Sequence, residues 1–417
     1  MMVRILVINP LWPHTHHSIR AANVVLFELM KAVSAQPGVE LGFLKLNHEA
    51  GTVPNEAEQT SIQALKDLGI HILEPWHMPP VLKSRFRTTL LRGNAQDFYP
   101  ELAHRESAYR AAAAFKPDLL FIPWSEWATA LFAHMPIKKF AYYGNPDPKA
   151  FRAQSLIARK YGGGTLINIA KKIVAYRLER IHLDLLRQYD YLGNVAANDA
   201  NYYADHGLSQ TFYIQNVWID RFPDHPPALA TPGSGPETPT VIANVGKLGG
   251  TANTFGLELL GRDILPALAR RMNDRPYKVH ILGSGQMHPS LRSLFDRPEV
   301  HIRGFVDDID AEMAQSGIFL CANNGSQFNV GHTRYLHAWS LGCCVVGYSS
   351  ASLAMPEIQN GQNALLGQNA ENVAENVYQA IIDPTLRRNI GAAGYHCFRQ
   401  KFTANTVVPN LFRHIGL

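Results

Sequence analysis

The chain is 417 residues long, with 46% hydrophobic and 18% charged side chains. That composition argues against disorder, and the length exceeds what one hydrophobic core usually organises, so two domains are expected. The formal charge of +5 is modest and Lys and Arg form no stripe, which argues against a nucleic-acid partner and leaves anionic small molecules or a membrane surface.

Cys321, Cys343, Cys344 and Cys397 show no metal-type spacing and read as free thiols in a reducing compartment. No run reaches the roughly eighteen apolar residues of a spanning helix. The start, MMVRILVINP, lacks a signal-peptide core, so cytoplasmic residence is expected, with peripheral contact at the inner face of the membrane left open.

Val3 to Asn9 (VRILVIN) is a β-branched run closed by Pro10, the pattern of a buried parallel strand. The loop Leu11 to Ser18 leads into a helical pattern over Ile19 to Ser34. A second strand, Val39 to Leu46, completes a βαβ unit. His14, His16 and His17 fall in that loop. No carboxylate is near them and their spacing fixes no metal geometry, so His14 and His16 are read as polar groups facing a substrate.

Further strands are predicted at Ile70 to Leu73, at Pro117 to Pro123 and at Lys138 to Tyr143, with a helix over Leu102 to Phe115. Trp124 to Trp127 occupies one strand end and Gly144 to Pro148 another. In the latter, Asn145 and Asp147 are acceptor-side candidates; Asp147 reads as a contact to an acceptor hydroxyl or as a plain turn residue. Two basic stretches, Val81 to Gly93 and Phe151 to Tyr189, the second interrupted by Gly162 to Gly164, fit either an anionic lipid surface or a solvated face. Composition does not decide between them. Tyr191 to Ala197 and Tyr213 to Val217 close this half as short strands.

Arg221 to Thr240 is rich in Pro and Gly and has no periodicity, which marks a linker. The expected division is a first domain over 1–220, the linker 221–240, a second domain over 241–400 and a C-terminal helix over 401–417 packing back toward the first domain. The second half repeats the alternation. Strands are predicted at Pro239 to Val245, Tyr277 to Leu282, Val300 to Ile302, Ile318 to Cys321, Cys343 to Val346 and Ala364 to Leu366. Helices are predicted at Thr254 to Asn273, Leu291 to Phe295, Ile309 to Ala314, Asn369 to Ile382 and Pro384 to Lys401. Each half therefore reads as a parallel α/β layer.

Three strand-end loops of the second half are glycine-rich: Gly246 to Gly250, Gly283 to Gly285, and the stretch Cys321 to Gly347, CANNGSQFNVGHTRYLHAWSLGCCVVG. That stretch is strand, polar loop, helix, strand. Glycine admits a phosphate close to backbone N–H groups at a helix start, and Lys247 and Arg334 can neutralise its charge. None of the loops is a G-x-G-x-x-G fingerprint or a P-loop.

These residues resemble family 4 of the retaining nucleotide-sugar glycosyltransferases. NVGKL is similar to the family's Val-Gly-Arg-Leu loop, and ANTFGLELLGRDILP to its Pro-Asn-x-x-Gly helix. HILGSG and VHIRGFVDD resemble the next two strand ends, RYLHAWSLGCCVV its Leu-Glu-Ala-Met-Ala-x-Gly-x-Pro-Val-Val run, and PEIQNGQNALL its Glu-x-x-x-x-Gly-x-Asn-Gly run. YIQNVWID resembles the interdomain crossing. Elsewhere the first half matches in plan alone. The resemblance implies the GT-B fold, two Rossmann-like parallel-sheet domains facing each other across a cleft. Its acceptor side would be the first domain and its donor side the second.

The sequence departs from the family at its two motif glutamates. His337 stands where the later one, which holds the nucleotide ribose, belongs, and Asn329 where the earlier one lies by the sugar. An imidazole can contact a ribose but cannot match bidentate acceptance by a carboxylate. The alternative for His337 is packing against a neighbouring strand. Lys247 replaces an arginine, as a point charge without the planar fork. Glu357 reads as a helix-start carboxylate.

The resemblance implies sugar transfer from a nucleotide-diphosphate sugar to a glycan or lipid-linked acceptor, with retention and without a metal or other cofactor. Lys247, Arg334, Asn329 and Asp147 are the catalytic candidates. The donor would meet Gly246, Gly283 and Gly285 at its phosphates. Arg303, Gly304 and Phe305 would lie at its base, with Gly331, Thr333 and His337 along the motif helix. The alternative is a GT-B-fold protein that has lost transfer and partners an active enzyme.

Overall fold

The computed structural model describes residues 2–14, 21–47, 54–78, 93–144, 147–161, 165–224, 239–325 and 333–417, excepting the side chains of Asp147, Thr165 and Ile167. By internal contacts the chain divides into two compact units, Met1–Val217 with Ala404–Leu417, and Trp218–Thr403. The division falls just before the Pro- and Gly-rich segment, so residues 218–224 belong with the second unit.

The first unit is built on β1 (Val3–Asn9), β2 (Val39–Asn47), β3 (His71–Ile72), β4 (Trp76–His77), β5 (Leu119–Pro123), β6 (Lys138–Tyr143), β7 (Tyr191–Asn194) and β8 (Thr211–Tyr213). They form one parallel sheet in the order β3-β2-β1-β5-β6-β7-β8, with β4 pairing on β2. β1 pairs β2 from Val3↔Val39 to Asn9↔Lys45 and β5 from Ile5↔Leu119 to Val7↔Phe121. Strand order reverses there, which opens a crevice beyond the carboxyl ends of β1 and β5. Leu6, Ile8, Leu120 and Ile122 are wholly buried, because strands covered on both faces read as continuous apolar runs.

Helices cover this sheet. α1 (Ala21–Ser34) buries Val24, Val25, Leu26, Leu29 and Met30, and α2 (Glu56–Asp67) starts on an Asn55–Glu58 capping box. α3 (Glu126–Phe132) follows Ser125, whose Oγ caps the Ala128 N–H. The basic stretch Phe151 to Tyr189 lies on two helices, α4 (Asp147–Lys160) and α5 (Thr165–Leu186), packed on each other. Residues 214–217, expected as strand, leave the sheet beyond β8. Ile214 and Val217 are buried there, so apolarity was read correctly and pairing was not.

The second unit carries β9 (Thr240–Asn244), β10 (Lys278–Leu282), β11 (Val300–Gly304), β12 (Ile318–Cys321), β13 (Cys344–Tyr348) and β14 (Leu365–Gly367). All are parallel, in the order β11-β10-β9-β12-β13-β14. Its strand order reverses between β9 and β12. After β9 comes α6 (Thr251–Leu259), which continues through a π turn at Leu260–Ile264 into Leu265–Met272. Sequence reading gave one regular helix here. Pro266 lacks an N–H and its ring crowds the carbonyl a turn earlier, and the wider turn relieves both.

α7 (Ile309–Ser316) is capped by Asp308 and ends at Gly317. α8 (Thr333–Ser340) buries Tyr335, Leu336, Ala338 and Trp339 against the sheet, and the Trp339 indole donates to the Asn363 carbonyl at 3.0 Å. α9 (Pro384–Lys401) packs on α8. The last helix, α10 (Ala404–Ile415), lies in the first unit and packs on α1.

Candidate functional site

The second unit brings its glycine-rich strand ends together at the β9–β12 reversal. Gly283 has φ +148° and its amide donates to the Gly304 carbonyl at 2.7 Å. A Cβ added to Gly283 would lie 1.8 Å from the Gly246 carbonyl oxygen, so the two loops approach as closely as they do because neither residue carries a side chain. The Leu248 amide donates to the Ser284 carbonyl at 3.0 Å. The ends of β9, β10 and β11 are thus stitched in a row, with backbone rather than side chains at the centre.

Arg334, the second residue of α8, reaches across the reversal to this row. A Cβ on Gly246 would stand 3.3 Å from its Nη2, and its guanidinium also contacts the Cys321 side chain at the end of β12. Nη1 is fully buried and has no hydrogen-bond partner among the described residues. Among the described residues Arg334 makes no ion pair with a carboxylate. Burial pulls its pKa below the ordinary guanidinium value, yet arginine stays charged. A buried cation with an idle donor, set against a glycine loop, is a place for an anion.

Lys247 is exposed, with its stem 3.8 Å from where a Gly285 Cβ would lie. Its carbonyl accepts from the Gly250 amide at 3.0 Å and from Asn253 Nδ2 at 2.7 Å; Asn253 Oδ1 in turn accepts from Asn323 Nδ2 at 3.0 Å. Asn324 Oδ1 accepts from the Tyr335 hydroxyl at 3.1 Å. This buried relay fixes the Lys247 turn to the β12 end. Sequence reading placed Asn323 and Asn324 in a polar loop and missed the relay, because its hydrogen bonds span 70 and 11 positions.

His337 sits one turn below Arg334 on α8. Its Nε2 bonds to Asp310 Oδ1 at 2.6 Å, its ring lies 5.3 Å from that of Trp218, and Asp310 also pairs with Arg221 at 2.5 Å. His337 is therefore a packed, partnered residue whatever else it does. Asp310 and Trp218 gave no signal in the sequence. Arg303 pairs with Glu312 at 3.2 Å, and Phe305 is 68% exposed at the tip of the β11 loop. Thr333 opens α8. Asn329 and Gly331 lie outside the described residues.

On the first unit, His14 Nδ1 lies 3.3 Å from the Ser61 hydroxyl. Beside it, the Lys45 ammonium sits 5.8 Å over the Trp12 ring and donates to Asn47 at 2.6 Å, and burial pushes its pKa down to about 8. Trp124, at the end of β5, holds φ +50°, a left-handed conformation that a bulky residue rarely adopts. Asp147 is the first residue of α4 rather than a turn residue. His16 and Asn145 lie outside the described residues, as does most of Val81 to Gly93. Among the described residues, no group of three or more His, Cys, Asp or Glu side chains could hold a metal ion.

Residues 239–383 match the family model described as Glycosyl transferases group 1. The match spans the whole second sheet and all the loops that meet at Arg334. A comparison with curated proteins found no match.

The chain is similar over its length to solved structures at low identity. Anabaena Alr3699/HepE, solved with UDP and glucose, is 14% identical with a TM-score of 0.61, covering 99% of each chain. Sucrose-phosphate synthase from Thermosynechococcus elongatus is 13% identical with a TM-score of 0.65, also covering 99% of each. The N-terminal domain of trehalose-6-phosphate phosphatase from Candida albicans is 10% identical with a TM-score of 0.61, covering 100% of this chain and 97% of that one. Two parallel-sheet α/β domains with these neighbours make the fold GT-B. The differing names of the neighbours show that the fold leaves the reaction to the site.

Proposed function

We propose that the chain transfers a sugar from a nucleoside-diphosphate sugar to an acceptor hydroxyl, with the diphosphate held at the β9–β12 reversal of the second unit. The observation that carries this reading is the buried guanidinium of Arg334 against Gly246, whose Nη1 has no partner among the described residues, inside the segment that matches the glycosyl transferase family model. Lys247 supplies a second, exposed charge. Negative charge grows on the diphosphate as the glycosidic bond breaks, and preorganised cations and amides at that point favour the transition state over the ground state.

UDP is the first nucleotide to test, since Alr3699/HepE was solved with it. The ribose is assigned to the His337–Asp310 pair, whose carboxylate would restore the acceptor group that the family's later glutamate provides. The first unit would bind the acceptor near Trp12, His14 and Trp124. Retention of configuration and a glycan or lipid-linked acceptor complete the proposal. Calorimetry with UDP-, GDP-, ADP- and CMP-linked sugars, followed by a donor-hydrolysis assay with the best of them, tests it; no binding at millimolar concentration to any would overturn it.

A second reading has one observation behind it. His337 replaces a carboxylate and its Nε2 is already engaged by Asp310, as suits a protein of this fold that binds a partner without transferring sugar. Nucleotide binding without turnover would favour it.

A further inference from the structure

We propose that the exposed face of the α4–α5 pair docks on an anionic lipid surface. Along α5, Leu166, Ile169, Ile173 and Tyr176 are 83%, 50%, 39% and 58% exposed. Their spacing of three and four residues puts them on one side of the helix, as an apolar stripe over its first three turns. Leu156 on α4 is a further exposed apolar residue. A soluble helix scatters such residues; a contiguous stripe marks a contact surface.

Charge selects the partner. Residues 147–187 hold nine Lys and Arg against three Asp and Glu, a surplus of six where the whole chain carries +5. Of those cations Arg152 and Arg187 are already paired with Glu179 and Asp184, and Lys149 with Asp199 at 2.6 Å, so these three add nothing to an attraction. Lys172 and Arg180 are exposed beside the stripe, and Arg159 and Lys160 are exposed on the last turn of α4.

Apolar residues flanked by cations enter the headgroup boundary while the cations meet anionic headgroups, and an aromatic such as Tyr176 suits that depth. A second copy of this face would set Lys172 and Arg180 against like charges, which disfavours self-association. Among the described residues no helix is long and apolar enough to cross a membrane, so the mode is surface contact. The sequence left this stretch open between lipid and solvent; the exposure of the stripe favours lipid.

Co-sedimentation of the full chain with vesicles of phosphatidylcholine alone, or mixed with phosphatidylglycerol, tests the proposal independently of nucleotide binding. The expected result is about ten-fold more bound protein on the anionic vesicles, falling as salt rises. Ile169→Ser with Ile173→Ser should abolish pelleting while the thermal melt stays unchanged. Lys172→Glu with Arg180→Glu should remove the preference for anionic lipid. Wild-type protein that stays in the supernatant with both vesicles at low salt overturns the proposal, as do two variant pairs that pellet like wild type. A concentration-dependent dimer that the serine pair dissolves, without vesicle binding by the wild type, overturns it in favour of a second copy.

Discussion

His337 Nε2 and Asp310 Oδ1 lie 2.6 Å apart, at the α8 position where the family that the sequence resembles carries a glutamate. Histidine cannot replace a carboxylate alone, but a histidine that holds one can present it. Trp218 against the ring and Arg221 on the same aspartate keep the pair oriented.

If the pair contacts the ribose, Asp310→Asn and His337→Ala each weaken UDP binding about ten-fold while inorganic pyrophosphate binds as before. Calorimetry with both ligands reads the difference. Equal losses for the two ligands would assign the pair a structural role alone.

Arg334→Ala should weaken UDP and pyrophosphate alike, by about 10- to 100-fold, the usual worth of a charge-assisted hydrogen bond. Arg334→Lys should recover part of that, because it restores charge without the planar fork. Unchanged affinity for both ligands in the alanine variant would move the phosphate site elsewhere.

Gly283→Ala should cost about 3 kcal/mol or more in urea unfolding, through a strained backbone and a forced separation of the β9 and β10 loops. The added carbon would sit 1.8 Å from the Gly246 carbonyl, with nothing flexible to yield. A loss under about 1 kcal/mol would mean that the loops part easily.

His182 is buried, bonds the Tyr203 hydroxyl at 3.1 Å and packs edge-on to Tyr143; burial pushes its pKa down to about 3. It stays neutral in the fold, whereas the unfolded chain takes up a proton below its ordinary value of 6.5. Its contribution to stability is therefore complete above that value and is lost as pH falls from there toward 3, at up to about 1.4 kcal/mol per unit. Denaturation at pH 7 and pH 5 should show a smaller loss for His182→Gln than for wild type. Equal slopes would remove His182 as the source.

Much of the fold was legible in the sequence because strands buried on both faces leave runs of apolar, β-branched or aromatic residues. Val3–Asn9 and Lys138–Tyr143 appear as read, and the end of α9 at Lys401 follows the expected boundary. Short helices such as Glu126–Phe132 were missed, since a Ser cap and seven mostly apolar residues give too few turns for a period to emerge. Of the candidate site, the sequence showed Gly246, Lys247, Gly283 and Arg334 as glycine and charge near strand ends, where the structure places them.

By itself, the sequence determined two parallel α/β units and the order of the glycine loops. Tertiary structure decided which groups meet. Asp310 reaches His337 across 27 positions and Arg334 reaches Gly246 across the sheet reversal. The stripe on α5 also became a surface only when its other faces were covered. The reason is physical: periodicity records whether a residue is buried, whereas contact depends on strand order and helix crossings, which no local pattern encodes.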